Sequence, residues 1–172
     1  MATFRAAIAF GASTEAAHVG LGQALLELGR SSGGAADTAR AVDALLTGVT
    51  LAPTNAHLLS TLSSALQESG RLAEALEFAS AAAAADPQSH AAHNNHGLLL
   101  ASAGRHADAI REGYTVGLRL DPQNAELLCN LAVSIAELGQ LQDAASIFEA
   151  CIASDPAHTR AKASLEALRP FP

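Results

Sequence analysis

The chain has 172 residues, 49% of them apolar but only 3% aromatic, with a net charge of −7 and a single lysine, Lys162. That length suits one ordinary domain or one run of stacked repeats, and a core of alanine and leucine with almost no Val-Ile-Thr-Tyr alternation reads as all-α. The acidity, with no basic stripe, excludes a protein that tracks nucleic acid and a surface drawn to anionic lipid.

At the N-terminus, Ala2 to Phe10 reads as a short helix. Its apolar stretch after Arg5 is shorter than the h-region of about 7–15 residues that a secretory signal needs. No apolar run approaches the roughly 18 residues required to span a bilayer. Two cysteines, Cys129 and Cys151, make no disulfide framework in a chain of this length and suit a reducing compartment. The expected location is cytoplasmic.

Thr14 is placed to cap the next helix. From there the punctuation is periodic. Pro53, Pro87, Pro122 and Pro156 recur at spacings of 34, 35 and 34, and Gly70, Gly104 and Gly139 at 34 and 35. Between a proline and the following glycine the apolar residues are spaced by three and four, as in Leu59, Leu62 and Leu66 or Leu128, Leu131 and Ile135. That spacing marks one helix face. Each glycine then ends the first helix through a left-handed cap. A second helix follows, over Leu72 to Ala85, His106 to Leu120 and Leu141 to Ser154. It stops at Asp86, Asp121 or Asp155, because a residue before proline disfavours the α region. The proline is expected in the first turn of the next helix. One extra residue between Gly104 and Pro122, with Gly113 and Gly117 in the helix, predicts a local bulge. Between Gly29 and Pro53 there are seven extra residues, assigned to a flexible loop over 30–36. Thr159 to Leu168 reads as a closing helix with Arg160, Lys162 and Glu166 toward water.

This pattern resembles the tetratricopeptide repeat, a helix–turn–helix unit of about 34 residues with the form W-x2-L-G-x2-Y…A-x3-F…P. Its first half is matched by His93, His96, Gly97 and Leu100, and by His18, Leu21, Gly22 and Leu25. It recurs in Leu59, Leu62, Ser63 and Leu66 and in Leu128, Leu131, Ala132 and Ile135. The second half appears as Ala75 and Ala79 before Pro87 and as Ala144 and Phe148 before Pro156. Leucine, histidine or alanine replaces most of the motif's aromatics. The resemblance implies a right-handed α-solenoid filling residues 1–172 as a single domain. Its parts are a partial leading helix (1–13), repeats over 14–54, 55–88, 89–123 and 124–157, and a capping helix with tail (158–172).

Histidines 90, 93 and 96 form H-x-x-H-x-x-H on one helix, a spacing that could chelate zinc. His93 and His96 nevertheless occupy inward-facing sites that hold leucine in other repeats, and His18 is in register with His93. Neutral imidazoles packed between helices explain all three, so no metal and no cofactor is expected. Cys129 reads as a buried or half-buried thiol, and no catalytic constellation is evident. The chain is not read as an enzyme.

What the resemblance implies for function is a protein-interaction scaffold whose concave groove, lined by first helices, accepts an extended peptide or a partner helix. His57, Thr61, Asn94, Asn95, Glu126 and Asn130 are the contact candidates. Asn95 and Asn130 lie 35 residues apart and are expected to stack as a short ladder gripping a peptide backbone, since one amide offers both donors and an acceptor. The face lacks the lysine and arginine clamp that related domains use for a C-terminal carboxylate. Three rival readings stay open: a substrate-selecting repeat portion of a larger glycosyltransferase- or sulfotransferase-type enzyme, a module that self-associates through its terminal helices, and a metal-binding protein that uses the histidines.

Overall fold

The repeating unit of this protein is set by a four-residue turn that ends in a helix cap. In the computed structural model, which describes residues 15–32 and 35–168, Asp121-Pro122-Gln123-Asn124 closes with Asn124 N–H donating to the Asp121 carbonyl at 3.3 Å. Ala52 to Asn55 and Asp155 to His158 do the same at 3.2 and 3.1 Å. Proline at the second position presets the turn, and the fourth residue caps the following helix. Asn55 accepts from Leu58 N–H at 2.9 Å, Asn124 from Leu127 N–H at 3.1 Å, and His158 Nδ1 from Ala161 N–H at 3.2 Å. Ser89 plays the same part for Ala92. The prolines therefore lie ahead of the helices, not in their first turns as the sequence suggested, because the capping side chain decides where the helix starts.

Nine helices follow among the described residues: α1 (Glu15–Ser32), α2 (Ala35–Leu51), α3 (Ala56–Glu68), α4 (Leu72–Ala85), α5 (His90–Ser102), α6 (106–120), α7 (Ala125–Glu137), α8 (Leu141–Ser154) and α9 (Thr159–Leu168). No described residue is in a strand. Gly70, Gly104 and Gly139 have φ of +75°, +74° and +81°. In each case the next residue's N–H reaches back to a carbonyl one turn earlier, Arg71 to Leu66 and Arg105 to Leu100 at 2.9 Å and Gln140 to Ile135 at 3.2 Å. This is the Schellman arrangement, which satisfies carbonyls that the helix end leaves open.

The seven extra residues of the first period do not form a loop over 30–36. Arg30–Ser32 complete α1 and Ala35–Ala36 begin α2, so these two helices run to 18 and 17 residues where α3 and α4 have 13 and 14. Alanine at 35 and 36 favours the start of α2, and of these seven residues Gly33 and Gly34 lie outside the described ones. The leading helix expected over 2–10 and the Thr14 cap also lie outside them.

Contacts divide the chain into two compact units, one ending at Asp86 and the other beginning at Pro87. Within the first, α1 pairs with α2 and α3 with α4, while α3 also packs on α2 and α1. The second repeats this wiring with α5 to α8 and closes with α9 on α8 and α7. This is the neighbour-to-neighbour packing of an α-solenoid. The first core is leucine and alanine: Leu25, Leu45, Leu58, Leu62 and Leu66 are buried, with Ala75, Ala79 and Ala82 facing them from α4. Each fully buried leucine contributes roughly 1.5–3 kcal/mol.

In the second unit α5 and α6 meet through backbone. A Cβ on Gly113 would collide with Gly97 Cα and stand 2.7 Å from Gly97 N and 3.0 Å from the His93 carbonyl. The extra residue of this period is absorbed as a π-helical turn over Ala109–Tyr114, which puts the fully buried Tyr114 ring against Gly97. Burial pushes the Tyr114 phenol up to about 12, against a hydrogen bond with Ser134. Farther along, Cys129, Ala132, Ala144, Phe148, Cys151 and Ala161 form one apolar cluster. The predicted stripe of Leu128, Leu131 and Ile135 is only half-buried, and the buried residues of α7 are Leu127, Cys129, Asn130, Ala132 and Ser134. The α5–α6 pair and the α8–α9 pair both press on α7, so its buried surface is wider than one stripe.

His93 and His96 are buried as expected, whereas His90, at the first position of α5, is exposed. His93 Nε2 donates to the Pro87 carbonyl at 3.2 Å. Burial lowers the His96 pKa, and His93 and Arg105 add to this against Glu112. No helix among the described residues is long and apolar enough to cross a membrane.

Two outcomes follow from this packing. Gly113→Ala should lose about 1–3 kcal/mol in urea unfolding because backbone cannot yield to the new methyl. Gly104→Ala, with open space but a positive φ, should lose about 1–2 kcal/mol; equal stability of wild type and Gly113→Ala would contradict the close approach. His96 gives a pH dependence. Its folded-state pKa lies below 6.5, so stability is intact above 6.5 and declines as pH falls through the folded value. Between pH 7.5 and about 5.5 the wild-type urea midpoint should fall, and His96→Leu should remove part of that fall.

Candidate functional site

In the first unit the first helices α1 and α3 lie side by side, and the surface between them is an open concavity of about 350 Å³. Gln23, Glu27 and Arg30 line it from α1, and His57, Ser60 and Thr61 from α3. The Gln23 amide donates to His57 Nε2 at 3.1 Å. Thr61 donates its hydroxyl proton to the His57 carbonyl at 2.8 Å, leaving its oxygen free to accept. Arg30 is bound to Glu68 through both Nε and Nη2. Two sequence candidates, His57 and Thr61, thus share one surface. Gln23 and Arg30 were missed: Arg30 had been assigned to a loop, and Gln23 stands 34 residues before His57, a register that would have found it.

In the second unit the candidates form a chain of bonds across three helices. Asn130 on α7 donates to Asn94 Oδ1 on α5 at 2.9 Å, and its own Oδ1 accepts from Arg160 Nη2 on α9 at 2.7 Å. Arg160 also donates to Glu126 Oε1 at 2.8 Å, and His158 Nε2 to Glu126 Oε2 at 3.2 Å. Asn130 is only 3% exposed. Its amide satisfies an interhelical seam from both ends and has no face to offer a peptide backbone. The residue that meets it through Nδ2 is Asn94, whereas the ladder expected from spacing paired it with Asn95. The reason is that α7 presents Asn130, not Leu131, at the deeper position. Asn94 and Asn95 are half-buried and Glu126 is exposed.

Arg160, which is exposed as the sequence suggested, is the third missed residue. It stands 34 positions after Glu126, as His57 does after Gln23. Both pairs are hydrogen-bonded, so the same register position couples adjacent first helices in each unit. Cys129 is fully buried, as expected. Burial raises the Cys151 thiol to about 11, with the neighbouring Cys129 adding to the effect.

Comparison with known proteins agrees with this architecture. The chain resembles the crystal structure of MamA, with a TM-score of 0.78 at 18% identity over 89% of this chain and 85% of that one. It resembles YrrB, described as a TPR protein with an unusual peptide-binding site, with a TM-score of 0.74 at 17% identity over 96% and 81%. The second TPR domain of human RPAP3, in complex with the HSP70 peptide SGPTIEEVD, matches with a TM-score of 0.62 at 17% identity over 68% of this chain and 100% of that one. No curated protein matches in sequence. Family models described as tetratricopeptide repeat match residues 60–125 and 125–158, neither of them a catalytic family. Together they span more than half of the sequence, and the chain belongs to the tetratricopeptide-repeat family.

Proposed function

We propose that this chain is a non-enzymatic interaction module that holds an extended peptide segment of another protein. The observation that carries the reading is the polar concavity between α1 and α3, where the Gln23 amide, the His57 ring and the Thr61 hydroxyl converge. Amide, imidazole and hydroxyl groups suit the alternating donors and acceptors of a peptide backbone. Peptide binding named for YrrB and for the RPAP3 domains supports the assignment by likeness of fold. In the second unit, Asn94, Asn95 and Glu126 are the contact candidates, with Asn130 reassigned to support them from within.

The RPAP3 peptides end in Glu-Glu-Val-Asp. The concavity here does not suit such an acidic terminus, because Arg30 is already engaged by Glu68 and Glu27 stands beside it. A neutral or basic internal segment is the better match.

The test is a random peptide library displayed on phage and selected on the full chain, with affinities then measured by fluorescence anisotropy. His57→Ala combined with Thr61→Ala should weaken the selected peptides about tenfold, at roughly 0.5–1.5 kcal/mol per lost hydrogen bond, without moving the unfolding midpoint. Binding unchanged in that double variant would sink the proposal. Asn130→Ala should instead lower stability by about 1–3 kcal/mol, because Asn94 and Arg160 each lose a partner.

A further inference from the structure

We propose that Cys129, Cys151 and His158 form a binding site for a zinc-class divalent cation at the closing end of the second unit. The two Sγ atoms and one ring nitrogen of His158 lie within 4.8 Å of one another. They come from three elements, α7, α8 and the cap of α9, so the cluster is made by tertiary folding and not by local spacing. A tetrahedral zinc with Zn–S of about 2.3 Å and Zn–N of about 2.0–2.1 Å keeps adjacent ligand atoms roughly 3.5–3.8 Å apart. Side-chain rotation and a small approach of the helices reach that spacing. Two thiolates and an imidazole are the donor set of a soft or borderline ion and exclude calcium and magnesium.

The histidine is already in the tautomer that a ligand needs. Nδ1 accepts the Ala161 amide proton at 3.2 Å and so carries the lone pair. Nε2 then bears the proton and donates it to Glu126 Oε2. A metal-bound histidine characteristically donates its other N–H to a carboxylate, which orients the ring; Glu126 is in place for that role, itself held by Arg160. On binding, His158 exchanges the Ala161 proton for the metal. Each thiol releases its S–H proton to solvent as its sulfur–metal bond forms, Cys151 giving up its bond to the Ala125 carbonyl. No electron is transferred.

The site is separate from the H-x-x-H-x-x-H run, where His93 is turned to the Pro87 carbonyl. Metal here would clip α9 to α7 and α8.

The test is titration of the reduced full chain with Co²⁺, followed by Zn²⁺. One equivalent of cobalt should bind with a sulfur-to-cobalt charge-transfer band and the intense visible bands of tetrahedral geometry. Zinc should displace it and raise the melting temperature, and a chelator should reverse that rise. Cys129→Ala with Cys151→Ala should abolish the band. If that variant fails to fold by circular dichroism, His158→Gln, which keeps both thiols, should weaken cobalt binding at least about tenfold. No sulfur-to-cobalt band in the folded wild type would overturn the proposal. So would a band that survives loss of both cysteines, or binding that is undiminished in His158→Gln and lost in His90→Ala with His93→Ala.

Discussion

Helices in this protein must come close, because their side chains are too small to fill a wide gap. Alanine supplies little volume, and aromatics make up 3% of the chain, so apolar area is buried by bringing backbones together. Ala75, Ala79 and Ala82 do this on α4, and Gly97 against Gly113 does it to the limit. The π-turn over Ala109–Tyr114 belongs to the same constraint. An added residue in a helix held this closely cannot be pushed out as a loop without breaking the α5–α6 contact, so it widens one turn and places Tyr114 over the glycine. Interiors packed near crystal density transmit such changes instead of absorbing them.

Much of this was legible in the sequence, and for definite reasons. Glycine at a positive φ and proline in a turn are backbone requirements that few other residues meet, so Gly70, Gly104, Gly139 and the four prolines carried the period and the ends of α2 to α8. What spacing could not carry was rotation of a helix about its own axis. Asn130 and Leu131 are adjacent, about 100° apart on the helix, and only the two-sided packing of α7 decides which goes deeper. The same blindness applied to α1 and α2. Composition identified Ser-Ser-Gly-Gly as a break, whereas α1 runs through Arg30 to Ser32 and α2 starts at Ala35, so only the two glycines separate them.

The candidate site was half-legible for a related cause. Residues that share a register position across repeats lie on neighbouring first helices, and that rule joins Gln23 to His57 and Glu126 to Arg160. Composition argued that no basic residues served this face, because the basic side chains were sought on the helices that resemble the motif most closely. Arg30 sits past the expected end of its helix and Arg160 in the closing one. Both are spent on carboxylates, Glu68 and Glu126, and neither presents an open cation. The conclusion that no carboxylate clamp exists therefore stands on neutralisation of the arginines present, a firmer ground than their absence.

That neutralisation extends over the surface and bears on the kind of partner the protein can meet. Arg40 pairs with Asp37, Arg71 with Glu74, Arg105 with Asp108, and Arg111 with Asp108 and Glu112. Each such exposed pair adds little stability, on the order of 0–1 kcal/mol. Their larger effect is to cancel cations locally, so that the seven excess negative charges set the field around the molecule. Field of one sign slows the approach of like-charged partners and speeds that of opposite ones, over about one Debye length at physiological salt. An acidic peptide would meet repulsion on approach and, in the surface between α1 and α3, an arginine already held by Glu68. Under the proposed function, a basic or neutral segment would meet neither obstacle, and the polar surface between α1 and α3 would offer it hydrogen bonds without demanding a charge.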